Sequence, residues 1–360
     1  MFDETKNIFK VASIYIATIV GAGFASGREI TEFFTSYYSG GFYGILLTGV
    51  LFSFIGYTVL NKVYSERIQN YEEFLFPTVG WGLGWVMEII VTLFMASVFC
   101  IMVSGVASII ADTINIPFYF AILLVTFICM IFFLTGVKGI VSLSTIITPI
   151  LIIGIITIGI YIILSRDSSV FNISGGFKKM THNWVVSSLL YTSYNSIISV
   201  VVMCSLLPYL KSKKTASIGG ILGGGILCII ALVLNYALYI FYPYVMSAEF
   251  PVIGIVDMCS RFMGSIYRIV LLLAMFISAI TSGYGFIERV RGKTKLSRGI
   301  LIPVICCLII PLSAIGFSNL ISNIYPVFGY AGMFMVFVIL IHGFKLIRKS
   351  RLIRKNGRFR

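Results

Sequence analysis

Charge is what this chain has least of: only 11% of its 360 residues are Asp, Glu, Lys or Arg, and 13 of them are acidic. Soluble domains carry about 25% charged residues, so there is too little charge here to coat a globule in water. Histidine is scarcer still, with only His182 and His342, each at the edge of an apolar run. No His, Asp and Glu cluster at metal-ligand spacing, and no nucleophile stands beside a base, so the expectation is a non-enzyme. The seven cysteines form no paired spacing, and six of them (Cys100, Cys129, Cys204, Cys228, Cys306, Cys307) lie inside apolar runs as small hydrophobes. Long polar segments are missing too. The longest are Ser165 to Asn183 and the C-terminal tail, which leaves no room for a separate soluble domain. The start, Met1 to Lys10, holds Asp3 and Glu4 and no cleavage site, so no removable signal peptide is expected. Asn172-Ile-Ser174 matches a glycosylation acceptor, a tripeptide common by chance.

What fills the space is hydrophobic sequence, 59% of the chain. Apolar runs fall at 8–37, 41–62, 84–111, 118–136, 141–164, 184–208, 216–241, 264–287, 299–315 and 320–345. A run of about 20 residues matches the ~30 Å hydrocarbon core of a bilayer. The expectation is an all-α integral membrane protein of about ten spans in one domain over 1–360, with a basic tail at 346–360. The formal net charge of +14 points to topology rather than nucleic acid, because the basic residues sit in short loops and in Lys345–Arg360. With the N-terminus in the cytoplasm, 21 Lys and Arg fall inside and five outside, Arg28 lying within the first run. Both termini are therefore expected in the cytoplasm of a cell-membrane protein, which requires an even number of spans. Residues 246–262, with Glu249, Asp257 and Arg261 around Pro251, read as a short amphipathic hairpin over the outer mouth, or as a plain interfacial loop.

Two runs carry local interruptions. The first, Ile8 to Tyr37, would make a helix of about 45 Å, too long for the core. Near its middle stands Gly21-Ala22-Gly23-Phe24-Ala25-Ser26-Gly27, followed by Arg28 and Glu29. Three glycines weaken the helix by about 1 kcal/mol each relative to alanine. Gly23 and Gly27 are also four apart, which alone would serve helix packing. The adjoining charged pair favours a break beside a cavity, since intramembrane charges mark pathways and sites. In the sixth run, Tyr191-Thr192-Ser193-Tyr194-Asn195-Ser196 places six polar-capable residues mid-span. That is either a second break or a polar stripe bonded to neighbouring helices. The interruptions lie about 170 residues apart, each opening a block of five runs (repeat one 8–164, repeat two 184–345). Five is odd, so the blocks would be inverted, the layout of transporters with a midplane site.

The run GAGFASGREITEFF resembles the bacterial YkvI-like amino acid permease family, and the layout is similar to the LeuT fold of the amino acid–polyamine–cation superfamily. The resemblance implies a 5+5 inverted repeat with discontinuous helices one and six. It implies a solute carboxylate held by the backbone at Gly21, Ala22, Gly23, Ser26 and Gly27, faced by Tyr191, Thr192, Ser193, Tyr194 and Asn195. A coupling Na+ would lie between helix one and paired hydroxyls of helix eight, with Val20, Gly23, Ser278, Thr281 and Ser282 around it. Against this, Thr281 and Ser282 could simply pack or bond back to their own helix. Arg28 would be an outer-gate residue, with Glu29 or Asp257 as its acidic partner because the last run has no Asp or Glu. A proton would instead use Glu29; Glu88, near the end of its run, suits a snorkelling or structural role. The function read from all this is secondary transport of a small zwitterion, an amino acid, with Na+ or H+ coupling and no other cofactor. The alternative is a channel or a membrane sensor subunit.

Overall fold

The computed structural model describes residues 2–135, 137–165, 181, 183–241, 248–294 and 296–356. The Asn172 tripeptide, Arg166, Lys178, Lys179 and His182 lie outside these. The described residues are helical and contain no strand. In chain order the helices are α1 (Phe2–Ile19), α2 (Ala22–Ala25), α3 (Arg28–Phe33), α4 (Ser39–Glu66), α5 (Tyr71–Val79), α6 (Trp81–Ile114), α7 (Phe118–Thr135), α8 (Val137–Leu164), α9 (Trp184–Cys204), α10 (Lys213–Ile240), α11 (Pro251–Cys259), α12 (Arg261–Lys293), α13 (Arg298–Ser313) and α14 (Phe317–Asn356). Each apolar run maps onto one of these, apart from the first, which becomes α1, α2 and α3 together. Six helices are long and apolar enough to cross a membrane by length and composition: those over 39–66, 81–114, 184–204, 213–240, 261–293 and 317–343. Apolar stretches of α7, α8 and α13 are shorter. Large side chains such as Val50, Phe127, Ile153, Ile229, Leu308 and Phe337 are exposed, as a lipid-facing surface requires.

Helices α1, α4, α9 and α10 pack on one another, and α6 packs against α12 and α7. The α4–α10 contact is made by backbone meeting backbone. A Cβ on Gly220 would fall 2.4 Å from the Gly56 carbonyl carbon, and one on Gly224 would fall 2.2 Å from the Ser53 nitrogen. Small residues at that spacing let membrane helices approach without a large side chain between them. In place of the hairpin or plain loop expected over 246–262, the described residues 248–262 form helix α11 and, after Ser260, the start of α12. Pro251 starts α11, and Val252, Ile253, Ile255 and Val256 are buried, so its apolar side packs into the protein.

Candidate functional site

The first run is interrupted twice within nine residues. Helix α1 stops at Ile19, a single turn forms α2, and Gly27 adopts φ 80° before α3 begins. Only glycine takes that left-handed conformation without strain. A Cβ on Gly27 would also meet Val252 Cγ2 at 2.8 Å. Backbone freed by the interruption finds partners in the protein, as it must inside a membrane. Ser26 Oγ donates to the Gly23 carbonyl (2.9 Å), Val252 N–H donates to the Ser26 carbonyl (3.0 Å), and Tyr267 of α12 donates to the Ala25 carbonyl (2.6 Å).

Glu29 folds back onto this turn. A Cβ on Gly23 would fall 2.0 Å from Glu29 Oε1, so Gly23 is the floor on which the carboxylate rests. The residue is only 4% exposed. Tyr194 of α9 donates its hydroxyl to Glu29 Oε2 (2.7 Å), and Tyr325 of α14 stacks on Tyr194 with ring centroids 4.5 Å apart. Among the described residues no Lys or Arg lies within 4.0 Å of this carboxylate. Gly21 is the open side of the turn, where an added Cβ would touch only Ser278 Oγ, at 4.0 Å.

Arg28 pairs with neither expected partner. Its guanidinium binds Glu32 one turn along α3 (2.7 Å) and donates to the Ala248 carbonyl (3.3 Å). Ser322 of α14 donates to the same Glu32 oxygen (2.7 Å). Glu29 points inward to Tyr194 instead, and Asp257 pairs with Arg268 of α12. Glu88 has the structural role its position suggested: 3% exposed, it binds Arg289 and Lys293 and ties α6 to α12.

Helix six is not broken at 191–196. Helix α9 runs without interruption from Trp184 to Cys204, because its polar side chains bond back into their own helix. Thr192 donates to the Ser188 carbonyl (2.8 Å), Asn195 to Tyr191 (3.0 Å) and Ser196 to Thr192 (2.6 Å). Ser193 Oγ and Tyr191 Oη are buried without a partner among the described residues. The chain leaves the helix only at Ser205, into a 3-10 turn over Leu207–Tyr209.

Between the interrupted helix and α4, α9 and α10 lies a cavity of about 10 Å³, lined by Phe24, Phe34, Phe52, Tyr191, Leu227 and Thr48 among others. That is room for about one water. The two partnerless hydroxyls of Thr48 and Tyr191 border it. The expected sodium ligands are not gathered as drawn. Ser278 faces Gly21, but Ser282 donates to the Ser278 carbonyl (2.6 Å), Thr281 is exposed, and the Gly23 carbonyl accepts from Ser26. Thr48, Glu32, Tyr267 and Tyr325 escaped the sequence reading. A lone Thr or Tyr in an apolar run looks like any interfacial or packing residue, and only Glu32, four after Arg28, left a helical-spacing signal.

No family model matches the chain. It is 27% identical over 337 residues to the membrane protein YkvI of Bacillus subtilis (strain 168), covering 92% of this chain and 94% of that one. It is 24% identical to YyaD of the same organism, covering 91% and 95%. Among solved structures, a variant of the Eremococcus coleocola manganese transporter superposes with a TM-score of 0.65 at 16% identity, covering 92% of this chain and 77% of that one. A Na+-coupled sialic acid symporter superposes with a TM-score of 0.53 at 15% identity, covering 91% and 76%. The chain is thus a multi-pass membrane protein of the LeuT fold, similar to YkvI and YyaD over nearly its whole length.

Proposed function

We propose that the chain is a secondary active transporter of a small organic solute, an amino acid, working by alternating access in the cell membrane. In this reading ten spans form a 5+5 inverted repeat, with both termini in the cytoplasm. The observation that carries it is the twice-interrupted first helix with a buried carboxylate folded onto it, at mid-span of a LeuT-type fold. Irregular backbone at that depth is tolerated where it lines a cavity or a site. The neighbours named as a manganese transporter and a Na+-coupled sialic acid symporter support transport on this fold. An organic solute is favoured over a divalent cation because, among the described residues, no three His, Cys, Asp or Glu side chains stand together to hold a metal. The solute would lie at Gly21, Ala22, Gly23, Ser26 and Gly27, facing Tyr191, Thr192, Ser193, Tyr194 and Asn195.

The driving ion is sodium or a proton, and the two would act at different residues. Sodium would sit near Val20, Gly23, Ser278, Thr281 and Ser282, requiring Ser282 to release its own helix. A proton would use Glu29. The test is uptake of a labelled amino acid mixture into proteoliposomes under an imposed sodium or proton gradient. Sodium-driven uptake lost in Thr281→Ala/Ser282→Ala supports the sodium site, and proton-driven uptake assigns coupling to Glu29. Uptake unchanged by Ser26→Leu and Asn195→Leu would mean the site is elsewhere, and no uptake by folded protein under either gradient would count against amino acid transport.

A further inference from the structure

We infer that the interrupted helix receives the amine end of its solute, with Glu29 as the residue that selects it, and that the solute's carboxylate is dispensable for binding. This rests on the transporter reading and adds the chemical class. A site that took a solute carboxylate on the glycine backbone would leave that backbone uncovered and uncharged. Here a protein carboxylate already occupies it: Glu29 Oε1 stands where a Cβ of Gly23 would be, 2.0 Å from that position. A second carboxylate at the same turn would meet the first in a low-dielectric interior, where two carboxylates cannot both stay ionised without strong repulsion.

The local charges agree. Arg28 and Glu32 bind each other at 2.7 Å, so they contribute little net charge. Glu29, 4% exposed, is hydrogen-bonded by the Tyr194 and Tyr325 hydroxyls and has no Lys or Arg within 4.0 Å among the described residues. A buried carboxyl is either neutral or paired, and an arriving ammonium group supplies the pair that lets Glu29 ionise. Three donors on a compact cation can bind Glu29, while the rest of the solute extends along the open side at Gly21 toward Ser278.

The experiment is thermal unfolding of the full chain in detergent, where an amine cannot collapse a gradient, with n-butylamine, butyrate or alanine as the probe. Protection of the wild type by n-butylamine and alanine, but not butyrate, is the expected result. In Glu29→Gln, whose amide oxygen still accepts from Tyr194, the n-butylamine concentration needed should rise about tenfold or more, the loss of one charge-assisted contact. Glu29→Asp should keep part of the response, and Asp257→Asn, a carboxylate elsewhere, all of it. Protection by butyrate equal to that by n-butylamine would overturn the inference, as would protection by n-butylamine that Glu29→Gln leaves intact, or its absence altogether. The wild-type comparison decides even if a variant does not fold. Amino acid uptake measured separately tells this failure from failure of the transporter reading: uptake without amine selectivity leaves transport standing and removes only the role of Glu29.

Discussion

Gly23 and Glu29 make sense only as a pair. Glycine at position 23 looks in the sequence like one of three helix weakeners, yet the structure gives each glycine of the run a separate task. Gly27 supplies a positive φ of 80°, Gly23 makes room for a carboxylate, and Gly21 leaves space in front of Ser278. Adding a methyl at Gly23 puts it 2.0 Å from Glu29 Oε1, so the carboxylate must move. Overpacking of this kind costs about 1–3 kcal/mol. Gly23→Ala should therefore lower the thermal unfolding midpoint and abolish uptake. Glu29→Ala in the same chain should recover most of the lost stability but not the uptake, because contacting residues couple strongly in a double-mutant cycle. A double variant no more stable than Gly23→Ala alone would show that the glycine serves something other than this carboxylate.

Two helices with similar-looking polar interruptions behave differently, and hydrogen bonding explains why. In the first run the interrupting residues are glycines, which have no side chain to bond back, and the break was legible. In α9 the interrupting residues are Thr192, Asn195 and Ser196, and each returns a bond to a carbonyl three or four residues earlier. Composition alone cannot tell those outcomes apart, since the same side chains can compete with a helix or decorate it. Because these bonds stay within one helix, Thr192→Val and Ser196→Ala should each cost only about 0.5–1.5 kcal/mol, measured as a shift in unfolding midpoint. A much larger loss would mean that the hydroxyls serve another helix or the solute. Glu88 is the opposite case. It binds Arg289 and Lys293 across two helices, and it is 3% exposed. Glu88→Ala leaves the partly buried Arg289 without its carboxylate, at a cost of about 1–3 kcal/mol, so it should unfold at a lower temperature than wild type. The positions of the long helices were legible, because a bilayer imposes length and hydropathy, whereas the short α5 and α11 lie outside the apolar runs. What joins them was less so: the Gly220 and Gly224 contact with α4, and the tie from Arg28 through Glu32 to Ser322, require knowing which helices are neighbours.

At the scale of the whole molecule, the count of spans and the distribution of charge constrain each other. Lys and Arg divide 21 to five when the N-terminus is placed inside, and cytoplasmic loops are the basic ones. Ten crossings would put both termini on that side and leave α11, with the Arg28 network, on the other. A single topology experiment examines all three statements. With the exposed Cys307 replaced, a cysteine at Lys6, Arg261 or Ser350 is treated with a membrane-impermeant maleimide in intact cells. Arg261→Cys should label at once, and Lys6→Cys and Ser350→Cys only after permeabilisation. Labelling of both termini without permeabilisation would invert the protein and turn the Arg28–Glu32 tie into a cytoplasmic closure. If only one terminus labels, the number of crossings is odd. Two inverted blocks of five could not then be built from this chain, and the pairing of α1 with α9 as equivalent helices would fall with them.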